Sequence, residues 1–210
     1  MEETSMRWLF ACILSLCLLL GAFLFLADCD TAYHFLYRRS GVYEQLPWSR
    51  EQIGELTEHI RDYLFERSDN LFVVLDGELV FKAQEIFHMW EVRIIFRTMR
   101  RIFLGLLLVL GIGVFRLPVR DLFRRQLFTT AGFFIALVPA ALFFQESFLW
   151  MHLLLFDNPY WSFSYDHRLI QLLQQEFFLG FLIMTIVLTL ASSVIFYLFA
   201  RKGGSRASHL

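Results

Sequence analysis

Long apolar runs alternate along the chain with one segment of mixed character. A helix crosses a bilayer core ~30 Å thick with roughly 20 mostly apolar residues. Four stretches approach that length: Trp8–Ala27, Ile102–Phe115 with its flanks, Leu127–Phe144 and Phe177–Ala200. The second is the shortest in strictly apolar residues and borrows turns from Ile94–Met99, its arginines snorkelling towards headgroups. Pro139 inside the third is tolerable in lipid and marks an expected kink. The mixed segment, Asp28–Ala83, is too polar for a membrane and too apolar for disorder. Within it Ser49 followed by Gln52 reads as a capping box that opens a helix through Phe65, with Leu56, Ile60, Tyr63 and Leu64 on one face. Leu71–Leu75, Asp76-Gly77 and Glu78–Phe81 read as a hairpin, because a type I′ turn needs positive φ at both central positions. A lone hairpin is marginal, so Tyr33–Tyr37 is expected to add a strand. From Gln84 the pattern turns helical and runs without a breaker into the second span.

These elements predict a membrane α-helical protein: four transmembrane helices, with a small extracytoplasmic α+β domain between spans 1 and 2. The expected boundaries are 1–27 for the N-terminus and first span, 28–93 for the outer domain and 94–116 for the second span. A cytoplasmic loop at 117–126, a third span at 127–147 and an outer loop at 148–175 follow, then a fourth span at 176–200 and a tail at 201–210. Composition agrees. The chain is 57% hydrophobic with 25 Phe among 210 residues, more apolar surface than a soluble domain of this length can bury.

Basic residues in short flanks set the orientation. Arg116, Arg120, Arg124 and Arg125 between spans 2 and 3, Arg201, Lys202 and Arg206 after span 4, and Arg7 before span 1 place both termini on the cytoplasmic side of the membrane. Arg93, Arg97, Arg100 and Arg101 then fall at the outer end of span 2, where charge on a long translocated segment has little influence. The first apolar run exceeds a signal peptide's ~7–15-residue core and reads as an anchor. Leu26-Ala27-Asp28-Cys29 is no lipoprotein-processing site, since Asp28 stands where a small residue is required. A net charge of −1 gives no signal for nucleic acid. Cys12 and Cys17 lie in an apolar run and Cys29 stands alone, so no disulfide framework is expected.

The candidate chemistry is imidazole, whose unperturbed pKa of ~6.5 lets it take and give a proton near neutrality. Six histidines occur. His209 is in the tail, His59 reads as a solvated helix position, and His34 and His152 as interfacial hydrogen-bonders. His88 and His167 lie in two segments that the topology brings to the same outer face, both expected to be accessible. His88 sits within about a turn of Glu85 and Glu91; His167 adjoins Asp166 after the aromatic loop Asn158–Trp161. Arg93, Arg97 and Arg101 form an i, i+4 stripe on the opposite side of the same helix, read as phosphate-level anchors or, for Arg93 and Arg97, as substrate-binding groups. A metal held by His88, Glu91, Asp166 and His167 is conceivable by ligand type, but no His-Glu-x-x-His pattern is present, so no metal is expected. No Gly-x-Ser-x-Gly elbow marks a serine nucleophile.

The hairpin Leu71–Phe81, the run Glu85-Ile86-Phe87-His88-Met89-Trp90-Glu91-Val92-Arg93, the aromatic loop, and Leu169-Ile170-Gln171 with Glu176-Phe177-Phe178 resemble the bacterial integral-membrane family of lipoprotein intramolecular transacylases. Glu91 stands where the resemblance leads one to expect Asp. The resemblance implies two catalytic histidines, one in each outer segment, which fall on His88 and His167, with Glu91 and Asp166 in support. It implies a diacylglyceryl-modified lipoprotein as partner, among membrane lipids. The sn-2 acyl chain would move to the α-amine of the N-terminal cysteine, giving an N-acyl, S-monoacylglyceryl (lyso) product. Ester to amide is downhill, so neither cofactor nor nucleotide is implied. His88 is assigned as base and His167 as acid or oxyanion partner, although the sequence does not order them. The competing readings are a membrane hydrolase using metal or water, and a non-catalytic assembly factor.

Overall fold

The computed structural model describes residues 2–113 and 119–206. Phe115, Arg116 and His209 lie outside the described residues, as do the side chains of Lys202 and Arg206. Helices dominate: α1 (Glu2–Asp28), α2 (Asp30–Ser40), α3 (Val42–Gln45), α4 (Arg50–Leu64), α5 (Ala83–Gly113), α6 (Val119–Leu142), α7 (Phe144–Leu155), α8 (Arg168–Leu172) and α9 (Gln175–Arg206). Strands β1 (Val74–Leu75) and β2 (Glu78–Leu79) complete the element order. Among the described residues, three helices are long and apolar enough to cross a membrane, over Glu3–Asp28, Arg120–Leu142 and Gln175–Arg201. The 31-residue α5 is about as long as any of them, but Arg97, Arg100 and Arg101 confine its uncharged portion to Ile102–Gly113.

The chain divides into two compact units. One comprises residues 1–25, 100–139 and 183–210. Its helices are joined by close contacts and a buried polar network. Phe10 of α1 packs so tightly on α5 that a Cβ at Gly113 would lie 1.9 Å from the ring. The Ser15 hydroxyl reaches the Gln126 carbonyl at 3.2 Å, and Gln126 Nε2 donates to Thr130 Oγ1 and Ser193 Oγ, both at 2.7 Å. These bonds link α1, α6 and α9 where lipid would offer polar groups no partner. Arg7 pairs with Asp121 at 3.3 Å across the same helices.

The other unit comprises residues 26–99 and 140–182. The capping box is present: Ser49 Oγ accepts from the Gln52 backbone N–H at 3.2 Å, and Gln52 Oε1 accepts from the Ser49 N–H at 2.9 Å. Leu56, Ile60, Tyr63 and Leu64 are buried as the periodicity requires, and Ile53 joins them. The hairpin also forms, with Asp76 at φ 54° and Gly77 at φ 85°, pairing Val74 with Leu79. It is only two residues deep on each side.

Two expectations are corrected in this unit. Tyr33–Tyr37 adds no strand; it is the middle of α2, whose Ala32, Tyr33, Leu36 and Tyr37 form a buried helical face. Tyr33 and Tyr37 pack on Phe177, with ring centroids 5.3 and 5.6 Å away, and that contact selects helix over strand. The segment read as an outer loop from residue 148 opens as helix, because α7 starts at Phe144, after a break at Phe143, and continues to Leu155. The result is a helical unit with a minimal hairpin rather than a balanced α+β domain.

Candidate active site

The first turn of α5 grips the segment that carries His167. Glu85 is fully buried at the third helical position. Its Oε2 accepts from the Lys82 backbone N–H at 2.7 Å, as the third residue of a capping box does, and its Oε1 accepts from the Leu169 N–H at 2.6 Å. One carboxylate thus serves the first turns of both α5 and α8. Gln84 Nε2 donates to the carbonyls of Tyr160 and Ser162, each at 3.1 Å, and Lys82 pairs with Asp166. A turn and a half further on, Glu91 Oε1 accepts from Asn158 Nδ2 at 2.7 Å, while Asn158 Oδ1 accepts from the Tyr160 N–H. Glu91 Oε2 is buried with no hydrogen-bond partner.

Both predicted histidines are buried, contrary to the expectation of accessible rings: His88 is 6% and His167 8% exposed. Their surroundings differ. His88 lies among aromatic rings, with Phe156 at 4.8 Å and Phe163 at 5.5 Å between centroids. Its Nδ1 is buried and unpartnered. Burial pushes its pKa down to about 4, and the neighbouring His152 adds to the effect. His88 is therefore a neutral imidazole near pH 7.

His167 caps the N-terminus of α8. Its Nδ1 lies 3.1 Å from the Ser164 carbonyl oxygen and 2.9 Å from Ser164 Oγ. A carbonyl only accepts, so Nδ1 carries a hydrogen, and in the neutral ring Nε2 then has the lone pair. Ser164 Oγ in turn donates to Asp166 Oδ1 at 2.5 Å, and that oxygen is 3.5 Å from His167 Nδ1. The Lys82 ammonium and the Ser164 hydroxyl hold Asp166 well below the usual carboxylate range. An imidazolium formed at His167 would meet an anion already in place.

The two rings do not stack on each other. They share Phe163, whose centroid is 5.5 Å from His88 and 5.2 Å from His167. The histidine stacked beside His88 is His152, at 6.1 Å and 27°. Sequence reasoning gave His152 little weight. Its Nδ1 donates to the Phe148 carbonyl at 2.8 Å, and burial lowers its pKa against the pull of that bond. Glu85, Lys82, Asn158 and Ser164 were also missed as site residues. The available signals were Glu85 three residues into a helix and Ser164-Tyr165-Asp166-His167 ahead of a short one.

Arg93 and Arg97 are engaged elsewhere. Arg93 donates to the Asp69 carbonyl at 3.2 Å and lies over the Tyr63 ring at 4.6 Å; Arg97 Nε donates to Glu66 at 2.5 Å. His34 bonds Tyr43 and Asp30, and His59 is exposed. Among the described residues no three His, Cys, Asp or Glu side chains gather as a metal-ligand set.

A family model described as "Lipoprotein intramolecular transacylase Lit" matches residues 8–178. The chain belongs to that family. It is thereby a membrane-integral acyltransferase of lipoproteins. Among solved structures, the chain is similar to the membrane-integral lipoprotein intramolecular transacylase Lit from Bacillus cereus, determined in meso. The two are 18% identical, with a TM-score of 0.81 over 100% of this chain and 99% of that one. Two variants of the Bacillus cereus protein, with one histidine replaced by arginine or by alanine, are also similar. Their identities are 21% and 17%, with TM-scores of 0.73 and 0.77. They cover 99% and 100% of this chain, and 96% and 97% of their own. At such identities the likeness establishes a shared fold. No curated protein matches the chain.

Proposed function

We propose that the chain moves the sn-2 acyl group of a diacylglyceryl-cysteine lipoprotein onto the cysteine α-amine, with His167 as general base and His88 as hydrogen-bond donor to the developing oxyanion. The amine nitrogen attacks the ester carbonyl carbon, a C–N bond forms, and the C–O bond to glycerol breaks. The amine proton passes to His167 Nε2 and on to the leaving glycerol oxygen, so ester plus amine becomes amide plus alcohol with nothing added or lost. The observation that carries this reading is the contrast between the two rings. His167 has a fixed tautomer and an adjacent anion to stabilise its charged form, whereas His88 is held neutral with an unsatisfied nitrogen. This reverses the initial assignment of His88 as base and His167 as acid or oxyanion partner, an order that the sequence does not fix. Glu91 supports the site by holding Asn158, and Asp166 by backing His167 through Ser164. Arg93 and Arg97 are given no substrate contact, being committed to Asp69 and Glu66. Amine and ester sit on one molecule, so much of the catalysis is positioning.

The uncharged part of α5 packs on α1 through Phe10 and Phe103, which favours it as a fourth span alongside the three apolar helices. With Arg120, Arg124 and Arg125 cytoplasmic, both termini lie inside and both histidine segments at the outer face. In a background without native cysteines, a cysteine at Gly77 or Ser162 is expected to react with an impermeant reagent in intact cells, and one at Arg120 only after permeabilisation. Labelling of Gly77 only after permeabilisation would invert the topology.

The function is tested on a synthetic diacylglyceryl lipopeptide with purified enzyme. Its N-terminal amine is expected to become unreactive towards an amine-specific reagent, at the same rate with and without a strong chelator. An amine that stays reactive while fatty acid appears would favour hydrolysis. Loss of the reaction on chelation, restored by zinc, would favour a metal-dependent enzyme.

A further inference from the structure

We propose that Glu85 is a positioning residue for the acyl transfer: its buried carboxylate, bonded to the Lys82 and Leu169 backbone N–H groups, sets where His167 stands relative to His88. The inference rests on the two-histidine reading. Among the bonds between the first turn of α5 and the 158–169 segment, the one to Glu85 is set apart by burial. Lys82–Asp166 joins half-exposed side chains, 51% and 64% accessible, and the two Gln84 bonds are exposed. The Glu85 carboxylate is fully buried, and both of its oxygens are occupied. Water competes with the exposed bonds but not with this one, and a buried acceptor leaves its donors orphaned if it is removed. Leu169 lies two residues beyond His167, at the second position of α8, so the bond fixes the backbone that presents the ring. His88 lies one turn along α5 from Glu85, so one carboxylate references both histidines to the same helix end.

Glu85→Gln keeps the volume but offers one good acceptor where two are needed. Its kcat for the diacylglyceryl lipopeptide, per folded enzyme, is expected to fall about a hundredfold, the scale of a displacement of about 1 Å at a reacting group. KM should stay within about threefold, because the carboxylate does not touch substrate. Glu85→Asp retains charge with a shorter reach and should fall between Gln and wild type. Folded enzyme is counted by monodisperse elution and thermal melting in detergent. A purely structural role would lower that count and leave kcat per folded molecule intact, which would overturn the proposal, as would failure of both Glu85 variants to fold. His88→Ala and His167→Ala in the same assay separate the two readings. If they are inactive while Glu85→Gln keeps full kcat, only the positioning role is lost. If they are active, the two-histidine reading itself fails.

Discussion

Replacing either His88 or His167 by alanine is expected to lower the turnover of a diacylglyceryl lipopeptide by about a thousandfold, within the range for removing one acid–base or oxyanion group. The two losses should differ in kind. Without His167 the amine has no positioned acceptor for its proton, so the residual rate should rise with pH as more amine is free. Without His88 the base remains but the oxyanion lacks its donor, so the rate should be lower by a similar factor at every pH. His88 itself should place no limb on the pH–rate profile between about pH 5 and 8, because burial lowers its pKa to about 4 and its neutral form persists throughout that range. The sign carries over to stability. A ring whose folded pKa lies below the ordinary ~6.5 favours folding above that value, and the contribution is lost as pH falls towards 4, amounting to at most about 3 kcal/mol. Both rings are buried, so alanine also removes packing. His167→Gln, closer in volume but unable to take the proton, should be similarly inactive with a smaller loss of thermal stability in detergent, whereas His88→Gln, which keeps an N–H donor, should lose less activity than His88→Ala. Retention of more than about a third of the wild-type rate by a folded His167 variant would remove it as the base.

What the sequence made legible followed from local rules. Ser49 and Gln52 close a capping box within one turn, and Asp76-Gly77 fixes a hairpin by backbone conformation, so neighbouring residues suffice to predict both. Three of the apolar runs form long apolar helices, α1, α6 and α9, for the same reason. Tyr33–Tyr37 was misread because its aromatic content suits a strand, whereas its fate is decided by Phe177, far along the chain. The site divides along the same line. His88 and His167 stand out as residue types in suggestive company, and the shared contact with Phe163 brings them into one neighbourhood. Their burial, the placement of His152 beside His88 and the double duty of Glu85 all depend on how α7 and α8 return to α5. No spacing in the sequence encodes that return. The order of the histidines belongs to the same class: it turns on which ring nitrogen meets the Ser164 carbonyl and on how many aromatic rings exclude water from the other.

The most direct measurement is tandem mass spectrometry of the N-terminal peptide of one lipoprotein, from cells with and without this chain. An intramolecular acyl shift leaves the total lipid mass unchanged, because one ester becomes one amide and a hydroxyl is freed. Fragmentation is expected to find one acyl chain on the cysteine nitrogen and a single acyl chain on the glycerol when the chain is present, and both acyl chains on the glycerol when it is absent. A mass lower by one fatty acid with a free amine would show hydrolysis instead, and unchanged acyl positions would leave the chain without the transfer it is assigned here.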